Sequence, residues 1–384
     1  MDEKEIRNIL TEILYVAINE LENTECIGSR LTPDTLARVY LLAKKHDLAH
    51  VVYDFVRRCG TDADAGLLAS MQKDEFIAVY RDEQIKYAYE QICRALDGEQ
   101  IAYIPLKGAV IRHFYPRPEM RTSCDIDILI RGTDLDAAIA CLCAKGYRCG
   151  ERNYHDVSLY SPNNIHLELH FSIQENMDNL DAVLKDAWEY AVPANGSRYM
   201  LTDEFFVFHI FAHMAYHFVT GGCGIRALLD IWVMEHKMGV SYRHGQELFK
   251  KAGIDKFAAE MSRLADLCFT KNTRDDFADK LLEYIFEGGV YGNAENRIAL
   301  GRAKNKNSVG YALKRLFPPC STMEITYPML KKVHCLLPFC WMARWIKVVF
   351  GADTGRIARE MSWASNIPKE KVAEIRTICM RLGL

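Results

Sequence analysis

The chain has few of the features that mark a polyanion-binding or membrane protein. Its 384 residues include 48 Lys and Arg against 51 Asp and Glu, so the formal net charge is −3 and there is no overall basic signature. The closest candidate for a membrane span, residues 333–350, is interrupted by Pro338, Arg344 and Lys347. Because a spanning helix needs about 20 mainly apolar residues, the sequence predicts no transmembrane segment.

Export signals, internal repeats and low-complexity segments are also missing from the sequence. Residues 2–5 are charged and no apolar stretch follows them, so we expect no secretory signal and a cytoplasmic location. In that compartment the 13 cysteines are expected to be reduced thiols, most of them filling the core. With 49% apolar residues, the chain is long enough for two or three packed units.

Residues 101–130 carry the most informative pattern in the chain. Their order of apolar, glycine and acidic residues is typical of a strand, a turn into a short helix, a loop and a second strand. The first strand ends at Lys107-Gly108, and the second carries Asp125 and Asp127. Because side chains alternate along a strand, the two aspartates share one face, and the isoleucines between and after them face a core.

This stretch combines a candidate cation site with a candidate anion site. Two carboxylates on one face repel each other, so Asp125 and Asp127 require a cation between them or a proton on one of them. The Gly108-Ala109 turn opens a helix, whose free backbone N–H groups and positive dipole end favour an anion. Together the two sites indicate a metal-bound triphosphate as the ligand.

Two polar residues precede the aspartates and extend the same face. By strand alternation, Arg121 and Ser123 are expected to point the same way as Asp125 and Asp127. Two interpretations of Arg121 stay open: it contacts a phosphate, or it forms a structural salt bridge with a carboxylate at the start of the strand.

The arrangement resembles the nucleotidyltransferase superfamily, whose pattern is a glycine turn, Asp-x-Asp on the next strand and a third acid on a later strand. In particular it resembles a bacterial family labelled as uncharacterised nucleotidyltransferases. It is more loosely similar to the nucleotidyltransferase-like toxins of abortive-infection systems. The residues that carry these resemblances are Leu106-Lys107-Gly108, Tyr115-Pro116, Arg121-x-Ser123-x-Asp125-x-Asp127 and Ile128-Leu129.

The superfamily resemblance implies a third acid within an apolar-acid-apolar triplet, and residues 167–169 around Glu168 match that pattern. On the strand predicted for residues 165–173, alternation puts His166 and His170 on the same face as Glu168. Glu168 is therefore assigned as the third acid. The alternative interpretation is an edge strand with a solvated face.

The resemblance also implies an activity. Asp125, Asp127 and Glu168 would be catalytic and would hold one or two Mg²⁺ ions. The reaction would move a nucleoside monophosphate from an NTP, ATP among the candidates, to a hydroxyl of an unknown acceptor, which is a small molecule, a protein or tRNA. Two alternatives remain: a nucleotide-binding or scaffold protein without turnover, and a toxin-type enzyme that acts on tRNA or protein.

At the turn, this chain departs from the superfamily pattern. Many members have Gly-Ser or Gly-Gly there, whereas this chain has Gly108-Ala109 and so lacks a hydroxyl near the phosphates. Lys107 is expected to replace that contact. The nucleotide-binding residues implied on this basis are Lys107, Gly108, Ala109, Arg121 and Ser123.

The fold class expected is α+β, with a small mixed-sheet nucleotidyltransferase core at residues 98–195. Helical regions flank this core at residues 1–97 and 196–384. Within the first region, Thr32-Pro33 is a helix start signal. His46 follows a helical run and is expected to be a surface or capping residue.

The C-terminal helical region carries polar residues with more than one interpretation. His209, His213 and His217 recur every four residues, which suits either a metal site or a polar stripe packed beside the catalytic unit. Arg226 either reaches a phosphate, oriented by Asp230, or forms a salt bridge with Asp230 within one helix.

Residues 297–347 have a basic charge balance, with ten Lys or Arg against the single acid Glu324. Such a stretch suits an anion-facing surface for triphosphate, nucleic acid or an acidic membrane. The other interpretation is a solvated helix face whose charge is compensated elsewhere in the chain.

Overall fold

The structure is a computed structural model that describes residues 1–22, 25–61, 63–270, 272–290, 292–304, 316–350 and 367–384. It has the expected α+β organisation, with a five-stranded mixed sheet and a two-stranded sheet between N- and C-terminal helices. Within these ranges, no helix is long and apolar enough to cross a membrane. Part of the basic stretch, residues 305–315, lies outside the described residues.

The N-terminal region is helical. Its helices are α1 (Glu3–Ile18), α2 (Glu25–Gly28), α3 (Pro33–Lys45), α4 (Ala49–Cys59) and α5 (Ala65–Gly98). Thr32 caps α3 by accepting a hydrogen bond from the N–H of Thr35, and Pro33 occupies the first turn, where a missing N–H costs nothing. Gly60 ends α4 with a φ of 62°, which suits a residue without a Cβ. The start of α3 follows the signal in the sequence.

The main sheet has the strand order β1-β2-β5-β4-β3. Its strands are β1 (Tyr103–Pro105), β2 (Asp125–Ile130), β3 (Arg148–Arg152), β4 (Asp156–Tyr160) and β5 (His166–His170). Strands β2 and β5 are parallel, and the other neighbouring pairs are antiparallel. The short helix α6 (Gly108–Ile111) follows β1, and α7 (Leu135–Ala144) connects β2 to β3.

The two faces of the sheet differ in chemistry, as alternation predicts. Ile126 and Ile128 of β2, with Leu167 of β5, pack against apolar residues of α5 and α7. The opposite face of the same strands carries the acids. These acids line a cavity together with residues of α9 (Asp203–Thr220). The apolar face therefore holds the sheet in place, while the polar face is free to form a site.

A two-stranded hairpin follows the core sheet and was not expected from the sequence. After α8 (Asp178–Leu184), strands β6 (Ala191–Pro193) and β7 (Tyr199–Leu201) pair antiparallel. Neither strand was predicted from the sequence. The overlooked signal is Asn195-Gly196, because an Asn-Gly pair favours a tight hairpin turn, and Gly196 has a φ of 60°.

The C-terminal region is helical after the hairpin. Its further helices in the described residues are α10 (Ile225–His236), α11 (Gln246–Ala252), α12 (Asp255–Phe269), α13 (Asp276–Gly288), α14 (Ala294–Lys304), α15 (Cys320–Thr326), α16 (Leu337–Phe350) and α17 (Lys369–Leu382). One apolar cluster includes Leu14 of α1, Leu129 of β2 and Phe211 of α9. This core therefore contains residues from the N-terminal helices, the sheet and the C-terminal helices. The division of the chain into three regions at residues 97 and 195 stays a prediction.

Eight of the 13 cysteines belong to the apolar core or pack against it. Cys223, Cys268, Cys340 and Cys379 are buried. Four half-buried cysteines pack against the core clusters, namely Cys59, Cys93, Cys141 and Cys320. The other five are exposed.

His46 joins three helices that are distant in sequence. It caps the C-terminus of α3, as expected, but its ring is fully buried and not on the surface. Its Nε2 donates to the carbonyl of Phe286 at 3.1 Å, and its Nδ1 accepts from the N–H of Ile225 at 3.4 Å. Both bonds require the neutral ring, and burial lowers the pKa of His46 to about 4.

The lowered pKa makes His46 a source of acid sensitivity. Between pH 6.5 and pH 4 the unfolded chain binds a proton at this residue and the folded chain does not, so stability falls as pH falls through this window. We expect the free energy of unfolding of the wild type to fall by about 3 kcal/mol more than that of His46→Gln between pH 6.5 and pH 4. The Gln side chain can donate and accept hydrogen bonds but does not titrate. Urea denaturation at several pH values measures the difference.

His334→Gln serves as the matched control, because the His334 side chain is 72% exposed. This variant should keep the pH dependence of the wild type. Equal slopes for wild type and His46→Gln would contradict the role given to His46.

Candidate active site

Three carboxylates meet on one face of the sheet because β2 and β5 are parallel and in register. Asp127 pairs with Glu168, and Asp125 pairs with His166. Paired residues on neighbouring strands point to the same face. The ligand atoms of Asp125, His166 and Glu168 lie within 4.8 Å of one another, as do those of Asp127, Glu168 and His170. Glu168 belongs to both groups and so links the two aspartates.

Two cationic side chains of the protein contact Asp127. Lys107 Nζ lies 3.4 Å and His170 Nε2 lies 3.0 Å from Asp127 Oδ1, and His170 Nε2 is also 3.5 Å from Glu168 Oε2. Burial alone would raise the pKa of Asp127, but Lys107 and His170 outweigh it and hold that pKa well below its usual range. Burial alone would lower the pKa of His170, but Asp127 and Glu168 raise it to about 9.

Asp125 is the acid that these cations neutralise least. Within the described ranges its carboxylate makes no salt bridge, and the nearby Ser123 hydroxyl bonds instead to its backbone carbonyl at 3.1 Å. Burial, and then the charge of Asp127, raise the pKa of Asp125. The site therefore holds one carboxylate whose ionised form the surrounding residues disfavour.

Lys107 reaches Asp127 from a strained turn. Its φ of 43° and ψ of −112° lie in a region that glycine prefers, and such strain persists only where the surroundings impose it. The N–H of Leu106 donates to the carbonyl of Asp127 at 3.1 Å, which ties the turn to β2. The N–H of Ala109 donates to the carbonyl of Leu106 at 3.0 Å, so this amide closes the turn.

A rigid guanidinium lies beside the turn. Arg121 bonds Asp230 of α10 through two parallel contacts, Nε to Oδ1 at 3.1 Å and Nη2 to Oδ2 at 2.9 Å, and Tyr115 donates to the same Oδ1 at 2.7 Å. A Cβ at Gly108 would lie 2.8 Å from Arg121 Nη1. Gly108 is therefore required for the close approach of Arg121. The pairing of Arg121 with Asp230 agrees with the interpretation of Arg121 as part of a structural salt bridge.

Ser123 supports the start of β2 through a second arginine. Arg112 donates to Ser123 Oγ at 2.6 Å, to Asp82 of α5 at 2.9 Å and to the carbonyl of Gly108 at 2.9 Å. Arg112 thus joins the turn, the long helix and the strand that carries the aspartates.

Arg226 lies on the far wall of the site and does not pair with Asp230. Its Nη1 contacts Asp47 at 3.3 Å and the hydroxyl of Thr122 at 2.9 Å. The hypothesis that Arg226 and Asp230 form a salt bridge within one helix, or that Asp230 orients Arg226, is therefore wrong. Asp230 is committed to Arg121, and the acid that orients Arg226 comes from the end of α3.

A cavity of about 350 Å³ lies over the three carboxylates. Every residue assigned to the site from the sequence lines it, namely Lys107, Gly108, Ala109, Arg121, Ser123, Asp125, Asp127, Glu168 and Arg226. His213 and His217 of α9 line the same cavity, whereas His209 lies deeper and is fully buried. The stripe thus packs beside the carboxylates, and no metal-ligand group among the described residues includes any of its three histidines.

Comparison with known proteins agrees with this geometry. The model of a family described as uncharacterised nucleotidyltransferases matches residues 33–270, more than half of the chain. The chain belongs to this family. No curated protein and no solved structure matches it. Membership in this nucleotidyltransferase family supports nucleotidyl transfer as the general reaction.

The match shows that the family unit is larger than the sheet. It begins at Pro33 of α3 and ends within the segment after α12, so it includes Asp47, Arg226 and Asp230 along with the carboxylates. The sequence interpretation did not assign His170, which contacts Asp127 and Glu168, or Asp47, which contacts Arg226. Only His170 left a signal, because it shares a strand face with Glu168.

The donor set fits a hard divalent cation. Mg²⁺ prefers carboxylate oxygens and commonly uses one or two of them together with substrate phosphates. Asp125, Asp127 and Glu168 provide such oxygens on one rigid face, and a cation there would relieve the repulsion that raises the pKa of Asp125. A divalent ion is therefore compatible with the residues present.

Gly108→Ala tests the packing of Arg121 against the turn. The new methyl group would displace the Arg121 guanidinium from Asp230, so we expect a loss of about 1–3 kcal/mol in the free energy of unfolding. Gly98→Ala, where a Cβ meets no atom within 4 Å, is the matched control and should be neutral or slightly stabilising. Thermal denaturation of both variants measures the effect, and equal melting temperatures would contradict it.

Proposed function

We propose that this protein is a Mg²⁺-dependent nucleotidyltransferase that moves a nucleoside monophosphate from an NTP to a hydroxyl of an acceptor. The observation that carries the proposal is the convergence of Asp125, Asp127 and Glu168 under a cavity whose other walls present Arg121 and Arg226. Acids beside basic groups suit a metal-bound triphosphate, whose ion and phosphates need opposite partners.

The reaction is an in-line displacement at the α-phosphorus. The acceptor oxygen forms a bond to this phosphorus, the bond from phosphorus to the β-phosphate oxygen breaks, and pyrophosphate leaves with that electron pair. The hydroxyl proton passes to a base within hydrogen-bond reach. When bound, the divalent ion supplies charge neutralisation at the phosphates.

The side chains divide the remaining tasks. Asp125, Asp127 and Glu168 hold the ion, and the guanidinium groups of Arg121 and Arg226 orient the phosphates. Both guanidinium groups are fixed by acids, so little reorganisation is needed when an anion enters. Gly108 lets the turn approach the same anion closely.

A second candidate function is nucleotide binding without turnover. The specific observation that favours it is the contact between Lys107 Nζ and Asp127 at 3.4 Å, because a lysine on this carboxylate competes with a metal ion. In that case NTP would bind, and pyrophosphate would not be released. Assays of pyrophosphate release separate the two functions.

Asp125→Asn is the sharpest test of the proposed function. Asp127 neutralises the half-buried Lys107, so its removal would also weaken the fold, whereas Asp125 has no such partner among the described residues. We expect Asp125→Asn to weaken Mg²⁺-dependent NTP binding by roughly a hundredfold or more. The melting temperature without Mg²⁺ should stay equal or rise, because a buried repulsion is removed.

The measurement is isothermal titration of ATP, GTP, CTP and UTP with Mg²⁺, together with thermal denaturation. Asp136→Asn is the matched control, since the Asp136 side chain is 92% exposed. NTP affinity that is unchanged in Asp125→Asn, or independent of Mg²⁺ in wild type, would overturn the proposed function.

A further inference from the structure

A second cavity adjoins the candidate active site. It has a volume of about 170 Å³ and shares Lys107, Glu168 and His213 with the first cavity. Seven of the nine other residues that line it have polar side chains. They come from His155, the strand end at His170, the segment after it and α9. Any group bound there lies next to the face on which the three carboxylates meet.

The wall of this second cavity contains hydrogen-bonding groups that lack partners. Both ring nitrogens of His209 and the Nδ1 atoms of His155 and His170 are buried and have no hydrogen-bond partner among the described residues. Burial lowers the pKa of His209 to about 3, so its neutral ring needs both a donor and an acceptor. A buried polar atom without a partner costs about 1–3 kcal/mol, and a polar ligand can remove that cost.

His213 is held in a defined orientation at the boundary between the two cavities. Its Nδ1 lies 2.7 Å from Oε1 of Glu175, whose side chain is almost fully buried. Burial alone would raise the pKa of Glu175, but His213 outweighs it and lowers that pKa to about 2, so the carboxylate only accepts. Nδ1 therefore donates in this bond, and in the neutral form of the ring Nε2 is the nitrogen that can accept a proton.

We propose that the second cavity binds the acceptor, a small neutral polyol of about one six-membered ring, and that His213 accepts the proton of its attacking hydroxyl. This inference rests on the proposed function. In the transfer step, the hydroxyl proton moves to His213 Nε2 as the acceptor oxygen bonds to the α-phosphorus. The bond to the leaving pyrophosphate breaks, and Glu175 stabilises the imidazolium that forms.

Size and charge favour such an acceptor. A cavity of roughly 150 Å³ holds one benzene-sized ring, which is close to the volume found here. Glu168 and Glu175 balance Lys107 and the protonated His170 along the wall, so no excess of positive charge selects an anion. The orphan ring nitrogens match hydroxyl groups, each of which both donates and accepts.

A metal ion is a poorer occupant of the second cavity. Within the described residues, three potential ligand groups share residues with this wall: His155, Asp156 and His170; Asp127, Glu168 and His170; and Asp125, His166 and Glu168. All three groups leave out His209 and His213. Glu168 is also a poorer proton acceptor than His213, because a carboxylate that holds a cation is stabilised in its ionised form. These two points assign the histidines of α9 to the acceptor and not to the ion.

The test uses the full chain with Mg²⁺, each NTP labelled at the α-phosphorus, and three separate fractions of a bacterial lysate: small molecules, RNA and protein. We expect phosphatase-resistant label in the small-molecule fraction, abolished when that fraction is first oxidised with periodate, which cleaves vicinal diols. Gln174→Trp, which fills the second cavity, should lower this transfer roughly a hundredfold and leave NTP affinity unchanged. Gln91→Trp makes the same replacement in a separate cavity beside α5 and should transfer like wild type.

Each other outcome overturns a defined part of the argument. Label in RNA or protein alone, or equal transfer by Gln174→Trp and wild type, overturns the second cavity as a polyol site. Intact NTP binding without transfer to any fraction overturns the acceptor site while leaving nucleotide binding in place. If the wild-type protein shows no Mg²⁺-dependent NTP binding, the proposed function itself is overturned.

Glu175→Gln tests the role of His213. The amide can donate to Nδ1 and so place the ring proton on Nε2, which removes the base while keeping the contact. We expect kcat to fall roughly a hundredfold with KM for the NTP unchanged, a split that general loss of structure would not give. An unchanged kcat in this variant would overturn the role of His213 as proton acceptor.

Discussion

The parallel, in-register pairing of β2 with β5 is the constraint on which the site depends. This pairing places Asp127 against Glu168 and brings Asp125 to the same face, so like charges are forced together on a rigid surface. Lys107 and His170 offset part of that repulsion. His170 lies on β5, and Lys107 lies in the turn after β1, which the bond from Leu106 to Asp127 ties to β2. The backbone strain at Lys107 and the burial of His170 are then understandable as consequences of neutralising acids that the sheet cannot separate.

The basic residues of the site are positioned by contacts between distant segments and not by the pairing of β2 with β5. Arg121 and Arg226 come from separate segments, and each is fixed by an acid from another helix, Asp230 of α10 and Asp47 at the end of α3. The helices before and after the sheet therefore take part in the site directly. This arrangement agrees with a family match that starts at Pro33 and extends well beyond the last strand of the sheet.

Local periodicity explains how much of this could be predicted from the sequence. The shared face of Asp125 and Asp127 follows from strand alternation, and the helix starts follow from capping residues, so both were within reach. Partners that meet across long chain separations were not. Arg226 and Asp47 are 179 residues apart, and an (i, i+4) pattern favoured Asp230 instead. Nothing in the local pattern distinguishes the buried His46 from a surface histidine, because its partners belong to α10 and α13.

The last matched residue of the family model, 270, is not a boundary of the packed structure. The carbonyl of Phe286 in α13 accepts from His46, and Tyr284 of the same helix donates to the carbonyl of Phe218 in α9 at 2.8 Å. Val290, just beyond α13, lines the cavity over the three carboxylates. An expression fragment that ends at residue 270 would therefore lack α13, which packs against His46 and α9. The packed structure around the site therefore extends beyond the residues that the family model matches.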